Sequence, residues 1–262
     1  MIDFHNHIWI PGDPDGSQLI AGMDRLGIER TLVHACHISV WSYTADNEGI
    51  AAAVQKHPDR LVGTVCLDFK AGVETCCEQI RWAAGEGLKG AKMFPNLGFY
   101  PDDPAYYPIY EELARQRFFA AYHLGYLALS DVDRRIPMST KYARPFFLEE
   151  PAIRFPEMDF VICHMGGVPG MEETLVVTRF YPNIYADLAP GYGVEAFKHM
   201  GSRVSLVDWD KFMWGTDMPD GNENWEENLA FWQENARQLG YEDKLPLLLH
   251  ENAAQFLKRY AL

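Results

Sequence analysis

Apolar and polar positions along the chain fall into two alternating rhythms. Short apolar runs rich in Val, Ile, Phe and Ala predict strands over Ile2–Ile8, Thr31–Cys36, Leu61–Leu67, Leu88–Phe94, Phe118–His123, Phe160–His164, Ile184–Leu188 and Phe212–Thr216. Between them, amphipathic stretches predict helices over Ser17–Leu26, Asn47–His57, Val73–Ala84, Ala105–Arg115, Arg144–Arg154, Gly170–Phe180, Val194–His199, Trp225–Leu239 and Leu245–Tyr260. Strand–helix alternation of this kind implies right-handed βαβ crossovers and a parallel sheet. The expected fold is α/β, a single (β/α)8 TIM barrel over residues 1–262 with its active site at the C-terminal ends of the strands. The absence of G-x-G-x-x-G after the first strand removes the commonest open-sheet cofactor signal.

Two connections are too long and polar for minimal βα turns. One runs from Asn96 to Pro104 and the other from about Leu124 to Tyr142. Each follows a predicted strand, so each rises from the face where barrels carry their chemistry.

Composition narrows the classes. The chain is 48% hydrophobic and 23% charged, as globular domains are, and its 37 acidic against 23 basic residues leave a net charge of −14. Such a surface repels phosphate backbones, so nucleic acid is not an expected partner. A small anionic substrate remains compatible, because a bound divalent ion dominates the field inside a pocket. There is neither a signal-peptide pattern nor an apolar run of the ~18 residues a membrane span needs, so a soluble, cytoplasmic protein is expected. The five cysteines, Cys36, Cys66, Cys76, Cys77 and Cys163, show no C-x-x-C spacing and read as buried core thiols.

The candidate chemistry begins at Asp3-Phe4-His5-Asn6-His7. In a strand, His5 and His7 point to one side, and two neutral imidazoles projecting together form a chelating pair for Zn²⁺ or a similar ion. In a chain with nine histidines that pair alone is ambiguous. His123, His164 and Asp217 change the picture, because each stands at the C-terminal end of an apolar run. In a barrel those ends form one surface. On the residues alone, His123 and His164 both read as ligands.

The chain resembles the amidohydrolase superfamily, and within it the amidohydrolase-related branch that includes aminocarboxymuconate semialdehyde decarboxylase. The likeness rests on Asp3-Phe4-His5-Asn6-His7, Gly87-Leu88-Lys89-Gly90-Ala91-Lys92, His123-Leu124-Gly125, Arg154-Phe155-Pro156, His164-Met165-Gly166-Gly167, Trp214-Gly215-Thr216-Asp217-Met218-Pro219 and Glu251-Asn252-Ala253-Ala254, in the family's order across nearly the whole chain. The resemblance implies that His5, His7 and His123 are metal ligands and that Asp217 binds the metal and accepts a proton from water. It implies that His164 stays off a single metal and acts as general acid/base or electrophile. The implied cofactor is one divalent ion, Zn²⁺ first, with Mn²⁺, Fe²⁺ or Co²⁺ compatible with the same ligand types.

Other residues carry weaker signals. Lys92 is expected as a structural or substrate-charge partner, carboxylation in a binuclear site being the minority option. Trp9, Trp41, Phe99, Tyr100 and Tyr126 are candidates for an aromatic wall or for plain loop packing, with Trp9 the one expected to bind substrate. Arg134, Arg135 and Arg144 are candidates to clamp a substrate carboxylate, Arg144 above all. His34 and His37 flank the second strand's end; His37 is a candidate to line the pocket but reads first as a polar loop histidine. His57, His199 and His250 carry no signal, and the acidic run Asn222–Glu227 reads as a helix N-terminal charge bias.

The expected function is metal-dependent hydrolysis of a small organic substrate such as a lactone, an amide or a ring bond. The alternative is non-oxidative decarboxylation of an unsaturated or aromatic acid. A catalytically silent metal-binding barrel ranks low because His164 and Asp217 are present, and a trinuclear phosphoesterase lacks its further ligands. A homodimer is possible by analogy only.

Overall fold

The structure, a computed structural model, describes residues 1–36, 43–127, 138–189, 193–217 and 224–261. Among these, eight strands pair in sequence order, every pair parallel: β1 (Ile2–Asn6), β2 (Arg30–His34), β3 (Leu61–Cys66), β4 (Gly90–Met93), β5 (Phe119–His123), β6 (Phe160–Cys163), β7 (Ile184–Asp187) and β8 (Phe212–Met213). The sheet curls until its last strand meets its first. The Phe4 N–H donates to the Trp214 carbonyl at 2.9 Å, and the Asp217 N–H to the His5 carbonyl at 2.8 Å. This is the (β/α)8 barrel that the alternation predicts.

Helices α1 (Ser17–Leu26), α2 (Asn47–Lys56), α3 (Val73–Gly85), α4 (Tyr107–Arg115), α5 (Glu149–Arg154), α6 (Gly167–Phe180), α7 (Gly193–Ser202), α8 (Asn224–Leu239) and α9 (Asn252–Lys258) follow the strands. Local chemistry marks their ends. The Asp46 carboxylate accepts the Gly49 N–H at 2.9 Å to cap α2, and Gly27 takes a left-handed conformation (φ 68°) to stop α1. Glu226 and Glu227 lie in the first turn of α8, where the helix dipole favours anions.

Two hydrophobic compartments form. The larger lies between sheet and helices. The smaller fills the barrel itself with Ile2, Phe4, Leu32, Val62, Phe119 and Val161, and is closed at the N-terminal end of the strands by α9. There Phe256 meets the rings of Phe4, Phe119 and Tyr185 at 5.1, 5.3 and 5.1 Å. Asn252 anchors the plug, its side-chain amide donating to the Trp209 and Phe212 carbonyls at 2.8 Å each. At this same end a cavity of about 530 Å³ is lined in part by Asp159, Arg259 and Tyr260. Its Asp159 is already ion-paired to Arg259 and accepts the Tyr260 hydroxyl, which leaves little chemistry to offer.

Several predicted boundaries shift for physical reasons. The eighth strand stops at Met213 rather than Thr216 because the following amides are taken elsewhere. Trp214 N–H goes to the Leu248 carbonyl and Thr216 N–H to the Asp3 carboxylate. Helix α5 starts at Glu149, not Arg144, since Pro145 opens a 3₁₀ turn ahead of it. The last predicted helix divides into a π turn (Leu247–Glu251) and α9. The first strand ends at Asn6 and carries a bulge between Asp3 and Asn6. A bulge re-aims side chains, so strict alternation does not describe how His5 and His7 come together.

Candidate metal centre and active site

The bulged end of β1 is held by a buried carboxylate. Asp3 Oδ1 accepts the His5 and Thr216 N–H groups at 3.2 and 2.9 Å, and Oδ2 accepts the Asn6 amide at 2.9 Å and the Thr216 hydroxyl at 2.7 Å. Burial pushes the Asp3 carboxyl up to about 6, against the lowering effect of these donors. Asp3 therefore ties β1 to the chain after β8, the seam that presents His5 and Asp217 side by side.

Each imidazole of the His5–His7 pair has Nδ1 committed and Nε2 aimed at one oxygen. His5 Nδ1 lies 2.8 Å from Asp187 Oδ2, and His7 Nδ1 lies 2.9 Å from the His34 carbonyl. With Nδ1–H donating, the Nε2 atoms of both rings face Asp217 Oδ1, at 3.6 Å for His5 and 3.2 Å for His7. An outer hydrogen bond that fixes the tautomer of an inner nitrogen is the arrangement of metal-ligating histidines. The donor set thus fits a divalent ion on its own geometry.

His123 and His164 come together as a pair. His123 Nε2 donates to the Tyr126 carbonyl at 2.7 Å and His164 Nδ1 to the Ala189 carbonyl at 3.0 Å. The remaining nitrogens, His123 Nδ1 and His164 Nε2, face each other at 3.0 Å. In neutral rings both carry lone pairs, so the contact is stable only with a proton or cation between them. His164, rather than His123, groups with His5 and Asp217, each offering a donor atom within 4.8 Å of the others.

Backbone strain surrounds the two predicted catalytic residues. His164, Met165 and Asp217 have φ of 60°, 50° and 52°, and Gly166 and Gly167 extend the left-handed run at 75° and 65°. Such non-glycine residues persist only where their surroundings over-determine them, and they cluster at functional sites. Gly125, after His123, lies so close to this run that a Cβ on it would sit 2.6 Å from the Gly166 carbonyl oxygen.

Electrostatics separate the histidines. Burial, with Lys92 next, holds His5 well below the ordinary range, and burial and Lys92 lower His123 to about 4. Burial, with His123 and His5, does the same to His164. At His7 burial also pulls downward, but Cys36 and the Asp217 carboxylate overcome it and raise the ring to about 10.

The remaining predicted residues fall in several places. Lys92 is buried with Nζ 2.8 Å from Cys163 Sγ and 3.4 Å from His5 Nε2, so it reaches the centre from below and not from the mouth. Trp9 stands on the rim with its ring 4.4 Å from that of Tyr43. Arg144 is engaged by Glu173. Phe99 packs into the core at 4.0 Å from Phe69, and Tyr100 meets Tyr142 and Phe147 edge to face, which is loop packing. His199 and His250 pair with Glu172 and Glu29. His37, Trp41, Arg134 and Arg135 lie outside the described residues.

Sequence reasoning missed Asp187 and assigned no role to His34. Asp187 ends β7, accepts from His5 through one oxygen and takes the His164 N–H at 2.8 Å with the other. An acid closing the otherwise apolar run Ile184–Leu188 was the available signal. His34 is the last residue of β2, 1% exposed, with its ring 4.4 Å from that of His5.

Fold and site together describe a (β/α)8 barrel with a candidate metal site of imidazole and carboxylate groups at the strand ends. The amidohydrolase family model matches residues 2–259, and the chain belongs to that family. No curated protein matches the sequence. Solved structures share the fold at low identity. One is a probable 2-pyrone-4,6-dicarboxylic acid hydrolase from Acinetobacter baumannii with citric acid bound, at 16% identity over 98% of each chain and a TM-score of 0.68. Another is a 2,6-dihydroxybenzoate decarboxylase from Rhizobium, at 15% identity over 98% of each chain and a TM-score of 0.62. A third is a 5-carboxyvanillate decarboxylase from Novosphingobium aromaticivorans, solved as a mutant with manganese and a nitrobenzoic acid. It is 17% identical over 93% of this chain and 81% of its own, with a TM-score of 0.61. No helix among the described residues is long and apolar enough to cross a membrane.

Proposed function

We propose that the protein is a metal-dependent hydrolase of small, carboxylate-bearing organic molecules, with lactones the first class to test. The observation that carries this reading is the convergence of His5 Nε2 and His7 Nε2 on Asp217 Oδ1, with Nδ1 of both rings already bonded. His5, His7 and Asp217 hold one divalent ion, Zn²⁺ or its neighbours Mn²⁺, Fe²⁺ and Co²⁺, and His123 supplies the further ligand that the family resemblance implies. Such an ion acidifies water and polarises a substrate oxygen. Asp217 accepts the proton of the attacking water. His164, its Nε2 beside His123, exchanges a proton with the leaving group. Asp187 holds His5 and the His164 backbone in register. The bound citric acid of the Acinetobacter structure supports a carboxylate-bearing substrate.

A second reading, decarboxylation of an aromatic or unsaturated acid, is favoured by the two decarboxylase neighbours and uses the same residues. Metal analysis of the purified protein beside His5→Ala and Asp217→Ala tests the site. One ion per chain, lost in both variants, is expected; unchanged content overturns it. A panel of lactones and unsaturated acids, scored for ring opening against CO₂ release, then separates the two reactions.

A further inference from the structure

Beneath the His5–Asp217 group the barrel interior is polar where such barrels are ordinarily packed with branched aliphatic side chains. Lys92 from β4 projects into it and is 1% exposed, yet among the described residues no carboxylate is ion-paired with it directly. Its Nζ lies 3.4 Å from His5 Nε2 and 2.8 Å from Cys163 Sγ. Burial pushes the Cys163 thiol up, so it stays protonated, accepts from Lys92 and donates in turn to the Asp187 carboxylate. Asp187 Oδ2 receives His5 Nδ1–H at 2.8 Å. A ring of contacts thus runs from Lys92 through Cys163 and Asp187 to His5 and back. An ammonium has three N–H donors and no lone pair, whereas His5 with Nδ1 protonated has its lone pair on Nε2. Lys92 therefore donates to the nitrogen that also faces Asp217 Oδ1.

We propose that Lys92 is a positioning residue that acts through His5: its ammonium opposes a metal ion on the same nitrogen and so sets how loosely the centre holds that ion. The inference rests on the reading of His5 as a metal ligand. Two features of the geometry carry it. The lone pair that Lys92 engages is the one an ion needs, so binding must break the Lys92–His5 hydrogen bond. The ammonium is also confined, because at 1% exposure it has no route to water and its other partner, Cys163, is buried as well. It therefore stays within a few ångströms of any ion on His5. Like charges so close repel strongly in a buried site, where water and salt screen little. Lys92 in this way closes the space beneath His5 to a further cation and keeps the ion above it exchangeable.

The test uses metal-free full-length protein titrated with Zn²⁺ and with Mn²⁺ against a chromophoric chelator. Lys92→Met fills similar space without the charge and is expected to bind both ions at least about tenfold more tightly than the parent. Lys92→Gln, a second neutral variant, is expected to shift affinity the same way and reads the effect if the methionine is not accommodated. Cys163→Ser keeps the ammonium and a group that both accepts and donates, so its affinity is expected to stay within about threefold of the parent. The sign is diagnostic, because damaged packing loosens an ion and removal of an opposing charge tightens it. Unchanged or weaker binding in the neutral variants overturns the proposal, and weaker binding is the result that a carboxylated, metal-bridging Lys92 requires. A gain in Cys163→Ser equal to that in Lys92→Met also overturns it, since repacking and not charge is then the cause. If His5→Ala abolishes uptake while the neutral variants match the parent, the metal site stands and the role of Lys92 falls. Absence of any uptake by the parent overturns both.

Discussion

The Asp187 carboxylate lies 2.8 Å from His5 Nδ1 and accepts the backbone N–H of His164 at the same distance. One side chain thus sets the tautomer of a proposed ligand and the position of the proposed proton carrier, which stand on different strands. Replacing it with Asn removes the charge that fixes His5 while keeping the shape. Asp187→Asn is expected to weaken metal binding by about 10–100-fold, read by competition with a chromophoric chelator. Unchanged affinity refutes this role.

The His123–His164 contact leaves two assignments that mutation separates. With His123 as the ligand, His123→Asn loses the ion. His164→Asn keeps it and lowers kcat by about 10²–10⁴-fold. The opposite pattern in metal analysis shows that His164 completes the set with His5 and Asp217, as their proximity also permits.

Protons and metal compete at His7. Its ring is raised to about 10 in the metal-free protein, whereas His5 and His164 are lowered and already neutral at ordinary pH. Between pH 6 and 9, binding an ion through His7 Nε2 therefore expels about one proton. Affinity is expected to rise about tenfold per pH unit through that window and to level off above the His7 value. A pH-independent dissociation constant contradicts the protonated His7.

Gly125 has φ of 86° and no room for a Cβ, which would lie 2.6 Å from the Gly166 carbonyl oxygen and 2.8 Å from Gly167 Cα. Gly125→Ala incurs the left-handed penalty and forces the loops after β5 and β6 apart. We expect a loss of about 2 kcal/mol or more in denaturant unfolding, with activity falling in the fraction that stays folded. A stability change within experimental error refutes the close approach.

Phe256 tests the opposite end of the barrel. Its ring is 1% exposed and touches rings from three strands and from Tyr260. Phe256→Ala is expected to cost about 3–5 kcal/mol and, below the melting transition, to leave metal affinity unchanged. Equal damage to metal binding indicates that the plug shapes the centre as well.

How much of this is readable from residues alone depends on whether a feature is local. Strand–helix alternation is local, and it predicts the barrel strand by strand. The ends of strands carrying His123, His164 and Asp217 are legible too, because an ionisable group closing an apolar run stands out. Asp187 closes a run in the same way and escaped notice only because no histidine accompanies it. The bulge in β1, the left-handed turn at His164 and the facing of His123 and His164 are products of packing between distant strands. Nothing in the spacing of Phe160–His164 distinguishes a core thiol at Cys163 from one beside Lys92. The short eighth strand was hidden likewise, since its amides are claimed by Asp3 and Leu248, residues far away in the chain.

The seam between β1 and the chain after β8 has a consequence for biosynthesis. Asp217 leaves the ribosome more than two hundred residues after His5, yet Asp3, Thr216 and the Asp217 N–H must meet before the two face each other. A nascent chain can expose His5 and His7 but cannot enclose an ion between them and Asp217 until its final strand is released. On the proposed reading of the site, metal loading follows the emergence of Asp217. On that reading the ion would act as a clasp across the joint between β1 and the chain after β8, and its retention would measure barrel completion.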